Sequence, residues 1–236
     1  VMNKYYTRAC NFYYGEDSIK KIKSKSSLPL NNNKLVSFDT VEIITRKYKK
    51  KVHIKDIRFL NQKLKKKIRT DLNLVTKKKI FKKLNFSNYP LLMGVINLTP
   101  DSFSDGGKYN KKNKGFNHAK YLIKKGCKIL DIGGESTRPG SKDVEENIEW
   151  NRISKTLKKI KKLKKFVSLD TRKSSVMKKG INRKINMIND VSGLEYDFNT
   201  INVLKKTNIP FVLHHMQGSP KTMQIKPKYK NVLLDI

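Results

Sequence analysis

Alanine is almost missing from this 236-residue chain and stands only at Ala9 and Ala119. Its scarcity, beside abundant Lys, Asn and Ile, fits a genome biased toward AT-rich codons. Cysteine is as rare: Cys10 and Cys127 are too few for a disulfide framework, and Cys127, opening an apolar run, reads as a small buried residue. No apolar run approaches the ~20 residues of a membrane helix. The opening VMNKYYTRACNFYY lacks the apolar core of a secretory signal, so the expected compartment is the cytoplasm and no membrane partner is expected. Glycine-rich nucleotide fingerprints are absent as well, which argues against a Rossmann enzyme.

Acidic residues are also in short supply. Lys and Arg number 54 against 19 Asp and Glu, a formal charge of +35. Such a balance first suggests nucleic acid. However, residues 1–89 carry a net +18 and residues 90–236 a net +17, so the charge is spread along the chain and not gathered in a tail. Codon bias explains that spread better than a selected polyanion surface, and no nucleic-acid partner is expected. A positive field would still draw an anionic substrate.

The chain divides near residue 89. Residues 1–89 read as an irregular basic extension, with strand-like alternation over 34–46 and a weak helix over 57–84, and no motif that carries chemistry. From residue 90 a rhythm sets in. Apolar strands (PLLMGVINL, CKILDIGG, KKFVSLDT, INMINDVS, IPFVLHHM) alternate with amphipathic helical stretches, which predicts a parallel sheet covered by helices. Each strand ends in polar residues: Asn97 and then TPDSFSDGG; Asp131 and then GGESTRPGS; Asp170-Thr171-Arg172; Asn189-Asp190; His214-His215-Met216-Gln217. In parallel α/β folds the C-terminal strand ends and the following loops build the active site. The lysine-free stretch 94–107, GVINLTPDSFSDGG, is the first of these.

Bland roles compete at each position. Asn97 can cap a turn, Asp170 can cap the helix after it, Asn189-Asp190 can form a turn, and Arg138 can be a solvated loop residue. Asp131 reads as a structural carboxylate bonding nearby backbone N–H groups. Adjacent strand residues face opposite sides, so His214 and His215 read as packed or hydrogen-bonded histidines, not a metal pair.

GVINLTPDSFSDGG, ILDIGGESTRPGS, SLDTRKSSVM, MINDVSG and HHMQGSPKTMQ together, in this order, resemble dihydropteroate synthase over roughly residues 86–230. The resemblance implies a (β/α)8 TIM barrel, α/β in class. It also implies a transferase of folate biosynthesis that condenses dihydropterin-6-ylmethyl diphosphate with p-aminobenzoate to give 7,8-dihydropteroate and diphosphate. It casts Asn97 as a ligand of Mg²⁺, Asp101 and Arg138 as catalytic residues at the first and second loops, and Thr137 as a hydroxyl donor beside Arg138. Asp170 and Asn189 would meet the pterin edge, and Met216 would wall the ring. A homodimer is the family's usual state.

The family continues with an Asp-Pro-Gly-Phe-Gly loop, a Ser-Arg-Lys segment and an Arg-x-His ending, none of which occurs here. From residue 91 onward there are 146 residues, against roughly 250 for a typical barrel. The expectation is therefore a partial barrel of about five βα units, truncated at its C-terminus. Rival readings are an inactive remnant and a pterin-binding, folate-dependent methyltransferase barrel, which lacks the TPDSFSDGG loop.

Overall fold

The computed structural model describes residues 5–81, 84–85, 91–99, 113–136, 141, 143–218 and 222–236. The chain forms two compact units: Val1–Tyr89 with Tyr229–Ile236, and Pro90–Lys228. Residues 229–236 thus fold with the N-terminal segment, not with the α/β segment to which the sequence pattern assigned them. Within that first unit Arg46 Nη1 lies 3.1 Å from Asp235 Oδ1, an anchor 189 positions away that no local pattern announces.

The first unit is regular where the sequence suggested irregularity. Strand β1 (Tyr6–Tyr14), helix α1 (Gly15–Lys23), β2 (Leu28–Leu30), β3 (Asn33–Ile44) and β4 (Lys49–His53) precede a 3₁₀ turn at Ile54–Phe59. Helix α2 (Gln62–Thr76) and a short pairing of β5 (Ile80–Phe81) with β6 (Leu84–Asn85) follow. The long β3 pairs antiparallel with β1 on one side and with β2 and β4 on the other. Its buried Phe38, Val41 and Ile43 belong to one cluster with Val52, Ile57 and Ile68. The helix is shorter than the 57–84 expected. Asn61 caps its start by accepting from Leu64 N at 2.9 Å, as short Asn side chains do at helix N-termini.

The second unit carries β7 (Met93–Asn97), α3 (Lys114–Lys124), β8 (Ile129–Gly133), α4 (Glu146–Lys161), β9 (Phe166–Asp170), α5 (Ser174–Asn182), β10 (Met187–Asp190), α6 (Asn199–Lys205) and β11 (Phe211–Leu213). All five strands are parallel, and each lies beside the one before it. A doubly wound sheet reverses its strand order partway; this one does not. It advances as a barrel wall does, which makes it a partial (β/α)8 architecture.

Alternation along these strands separates two faces. Ile96, Leu130, Ile132, Val167, Leu169 and Ile188 point outward and are buried with Ile153, Leu157, Ile160, Val176 and Met177 of the helices. Each such side chain contributes roughly 1.5–3 kcal/mol by leaving water. Gly180 lets α5 close on the sheet, since a Cβ there would come within 2.4 Å of Leu169 Cδ2. The other face carries a polar row at the C-terminal strand ends, and that row holds the residues of interest.

Candidate active site

Strand register builds one polar row. Asn97 pairs with Gly133, Gly133 with Asp170, and Asp170 with Asn189. Neighbours in a parallel ladder point the same way, so these side chains share the inner face at the C-terminal ends of four strands. One layer deeper lie Val95, Asp131 and Ser168, likewise in register. Three of the expected site residues, Asn97, Asp170 and Asn189, are thus brought together. Met216 is half-buried just beyond β11. Asp101, Thr137 and Arg138 lie outside the described residues.

Asp170 is the most unusual group of the row. Its carboxylate lies over Gly133, where an added Cβ would meet Oδ2 at 3.1 Å, so the missing side chain at 133 is what makes room for it. No described residue donates a hydrogen bond to it. Burial, then the charges of Asp131, Glu149, Asp190 and Glu135, push its carboxyl well above the ordinary carboxylate range. Asp170 does not cap α5: the cap position is Lys173 without a side-chain bond, and Asp197 Oδ2 accepts from Ser174 N at 2.8 Å.

Asn189 and Asp190 part company. Asp190 turns outward and forms the turn, accepting from Ser192 N at 2.8 Å, Ser192 Oγ at 2.6 Å and Leu194 N at 3.1 Å. Asn189 turns inward, and its Nδ2 donates to Asp131 Oδ2 at 3.0 Å. Asp131 is 4% exposed and bonds this side chain, not the backbone N–H groups expected from sequence. Its carboxyl is pushed up by burial, against the Ser168 hydroxyl beside it and the Asn189 amide. His214 is exposed and its Nδ1 lies 3.1 Å from Val191 O, a hydrogen-bonded histidine as expected.

Beside this row stands an ion network that sequence reasoning missed. Arg172 Nε donates to Glu135 Oε2 at 2.9 Å, and its Nη2 to Glu135 Oε1 at 3.2 Å and Asp143 Oδ1 at 2.8 Å. Its guanidinium lies 3.8 Å from the centre of the Tyr196 ring, within cation–π range. Lys173 Nζ reaches Glu135 and the fully buried Glu149, each at 2.8 Å. Burial alone would raise the Glu135 carboxyl, but the hydrogen bonds from Arg172 and Lys173 outweigh it and hold it low. Glu135 and Asp143 bracket the segment bearing Thr137 and Arg138, so one guanidinium ties both feet of that loop. The signal was present in TRKSSVM, where two adjacent cations follow Asp170, but their partners lie on another loop.

A cavity of about 800 Å³ at this end is lined by Asp143, Glu146, Lys173, Ser174, Tyr196 and Phe198, among others. Among the described residues, no group of three or more His, Cys, Asp or Glu side chains is placed to hold a metal ion. Nor is any described helix long and apolar enough to cross a membrane.

A family model described as "Pterin binding enzyme" matches residues 93–236. The chain is 43% identical over 149 residues to the dihydropteroate synthase of Neisseria meningitidis serogroup B, covering 62% of this chain and 52% of that protein. With the Escherichia coli K12 enzyme it shares 38% over 150 residues, covering 63% and 53%. Among solved structures, the Yersinia pestis dihydropteroate synthase with a sulfonamide drug complex superposes with a TM-score of 0.62 at 35% identity, covering 67% of this chain and 58% of that one. The Burkholderia cenocepacia enzyme complexed with 7,8-dihydropteroate gives 0.55 at 33% identity, covering 64% and 50%. The chain spans about half the length of the curated relatives it matches.

Proposed function

The chain belongs to the pterin-binding enzymes, and on that footing we propose that it is a dihydropteroate synthase sequence whose inner face binds the pterin of dihydropterin-6-ylmethyl diphosphate for condensation with p-aminobenzoate. The observation that carries this reading is Asp170: a carboxylate with no described donor, in register with an amide, at the mouth of a parallel sheet. A pterin's aminopyrimidinone edge is rich in N–H donors, and a carboxylate beside an amide supplies matching partners. Binding the ring would give Asp170 donors that no described residue supplies. Met216 would supply an apolar wall.

In the reaction so proposed, the C–O bond to the diphosphate breaks and the methylene carbon becomes cation-like. The arylamine nitrogen forms the new C–N bond and sheds a proton, and the diphosphate leaves with the bonding pair. Asn97 fits one place on Mg²⁺: its side-chain carbonyl is a hard oxygen, and this ion commonly takes few protein ligands alongside substrate phosphates. When bound, the ion would neutralise charge on the diphosphate. Arg138 would stabilise the leaving group by paired hydrogen bonds, Thr137 would donate beside it, and Asp101 would act at the first loop. A cytoplasmic homodimer that takes small-molecule substrates and no nucleic acid completes the proposal.

Titration calorimetry of the 236-residue chain with dihydropterin-6-ylmethyl diphosphate and Mg²⁺ tests this. Measurable affinity that falls at least tenfold in Asp170→Asn and in Asn189→Ala, with Asn97→Ala chiefly weakening the Mg²⁺ dependence, supports it. Equal affinity in all variants would sink the site assignment.

A further inference from the structure

Asp131 has no role in the site as assigned above, yet its position is hard to explain as scaffolding. It sits in the middle of β8, between Leu130 and Ile132, both fully buried. A carboxylate there is costly unless it is bonded. Backbone N–H groups of a central strand are spent on the ladder, and none reaches it. Its one geometric hydrogen bond comes from Asn189 Nδ2 at 3.0 Å, and the bond crosses over β9, the strand lying between β8 and β10. Its other oxygen, Oδ1, is buried with no donor at hydrogen-bond distance among the described residues, and the Ser168 hydroxyl beside it is likewise unpartnered.

We propose that Asp131 is a positioning residue, which fixes the Asn189 amide in one of its two orientations and so decides which atoms that amide offers a ligand. The inference rests on Asn189 facing the pterin. An amide's oxygen and nitrogen are nearly equal in size, and only hydrogen bonding tells them apart. Above its raised pKa the Asp131 carboxylate is ionised, and it accepts and cannot donate. Asp131 therefore holds the NH₂ end inward and turns the Asn189 carbonyl oxygen, with the remaining N–H, toward the row shared with Asp170. A flipped amide would present a donor where the ligand also has a donor. The charge of Asp131 acts on Asp170 as well, as the second-largest cause of its raised pKa after burial.

Two readouts test this, the first without ligand. Nuclear magnetic resonance of the full chain follows the side-chain NH₂ of Asn189, with its resonances identified by their loss in Asn189→Ala. Exchange of those protons with water should speed up at least tenfold in Asp131→Ala. Asp131→Asn keeps the volume and should fold at least as stably as the parent, yet leave the amide without a fixed polarity. The second readout is a double-mutant cycle on affinity for dihydropterin-6-ylmethyl diphosphate. Asp131→Ala should weaken binding roughly tenfold in the parent and less than twofold in the Asn189→Ala background. Unchanged amide exchange overturns the proposal, and so do additive losses. A parent chain that binds no pterin refutes the functional reading of this chain instead, and amide exchange alone then decides the role of Asp131.

Discussion

Asp39 in the N-terminal unit is buried and Asp170 in the parallel sheet is half-buried, and their surroundings treat them oppositely. Asp39 Oδ1 accepts from Asn11 Nδ2 at 2.8 Å and Thr40 Oγ1 at 2.6 Å, and Oδ2 accepts from Tyr13 Oη at 2.6 Å. His53 Nε2 stands 3.8 Å away. Burial would raise its carboxyl, but the bonds from Thr40, Tyr13 and Asn11 outweigh it and hold it below the ordinary range. Asp170 receives no such bonds and is pushed up. A buried acid bonded on both oxygens is a structural knot. One without protein donors, at the C-terminal edge of a parallel sheet, is the group proposed to meet the pterin.

That contrast can be broken by mutation. The largest effect is expected from Asp39→Ala, which strands three donors and should destabilise the first unit by about 3 kcal/mol in denaturant unfolding. Asp170→Asn should do the reverse, stabilising the second unit by roughly 1.5 kcal/mol at neutral pH while weakening pterin affinity, as expected when a strained functional group is relieved. Trp150, the only tryptophan, packs against the core of that unit, so its fluorescence should report the change. Arg172→Lys keeps the charge and loses the fork that spans Glu135 and Asp143. It should cost about 1 kcal/mol in denaturant unfolding of the second unit, read by Trp150 fluorescence.

The contributions of Asp39 and of the Asp170–Asp131 pair to stability should differ in sign with pH. The Asp39 contribution is present above the ordinary carboxylate pKa of about 4 and is lost as pH falls through its lowered folded value. Asp170 and Asp131 have raised folded values. At these two carboxyls the folded chain holds protons that the unfolded chain releases, so their contribution to stability falls as pH rises from about 4 through those values, while the lowered Glu135 and Asp197 of the same unit act in the opposite direction. Hydrogen exchange in the second unit should show that fall in the parent chain and less of it in Asp170→Asn.

Much of the second unit was legible because its signals are local. Outward Leu130 and Ile132 alternate with inward Asp131 and Gly133, and the same period of two separates inward Asn189 from the turn-forming Asp190. What stayed hidden depends on contacts far apart in sequence. Asp131 and Asn189 are 58 positions apart, and Arg172 and Glu135 are 37. The first unit was misread for a related reason. Strand β1 has no clean alternation of burial, and Asn11 within it takes a left-handed backbone with φ of 56°. Its place in the sheet is set by pairing with β3, more than twenty residues on.

The most direct test of the central claim is proton release on pterin binding, by calorimetry in buffers of different ionisation enthalpy across roughly pH 4 to 8. Pterin donors favour the ionised form of Asp170, so binding should expel a proton at pH values below its raised pKa, and Asp170→Asn should abolish the release. Tight binding without proton release, unchanged by Asp170→Asn, would contradict the assignment of Asp170 as the pterin-binding acid.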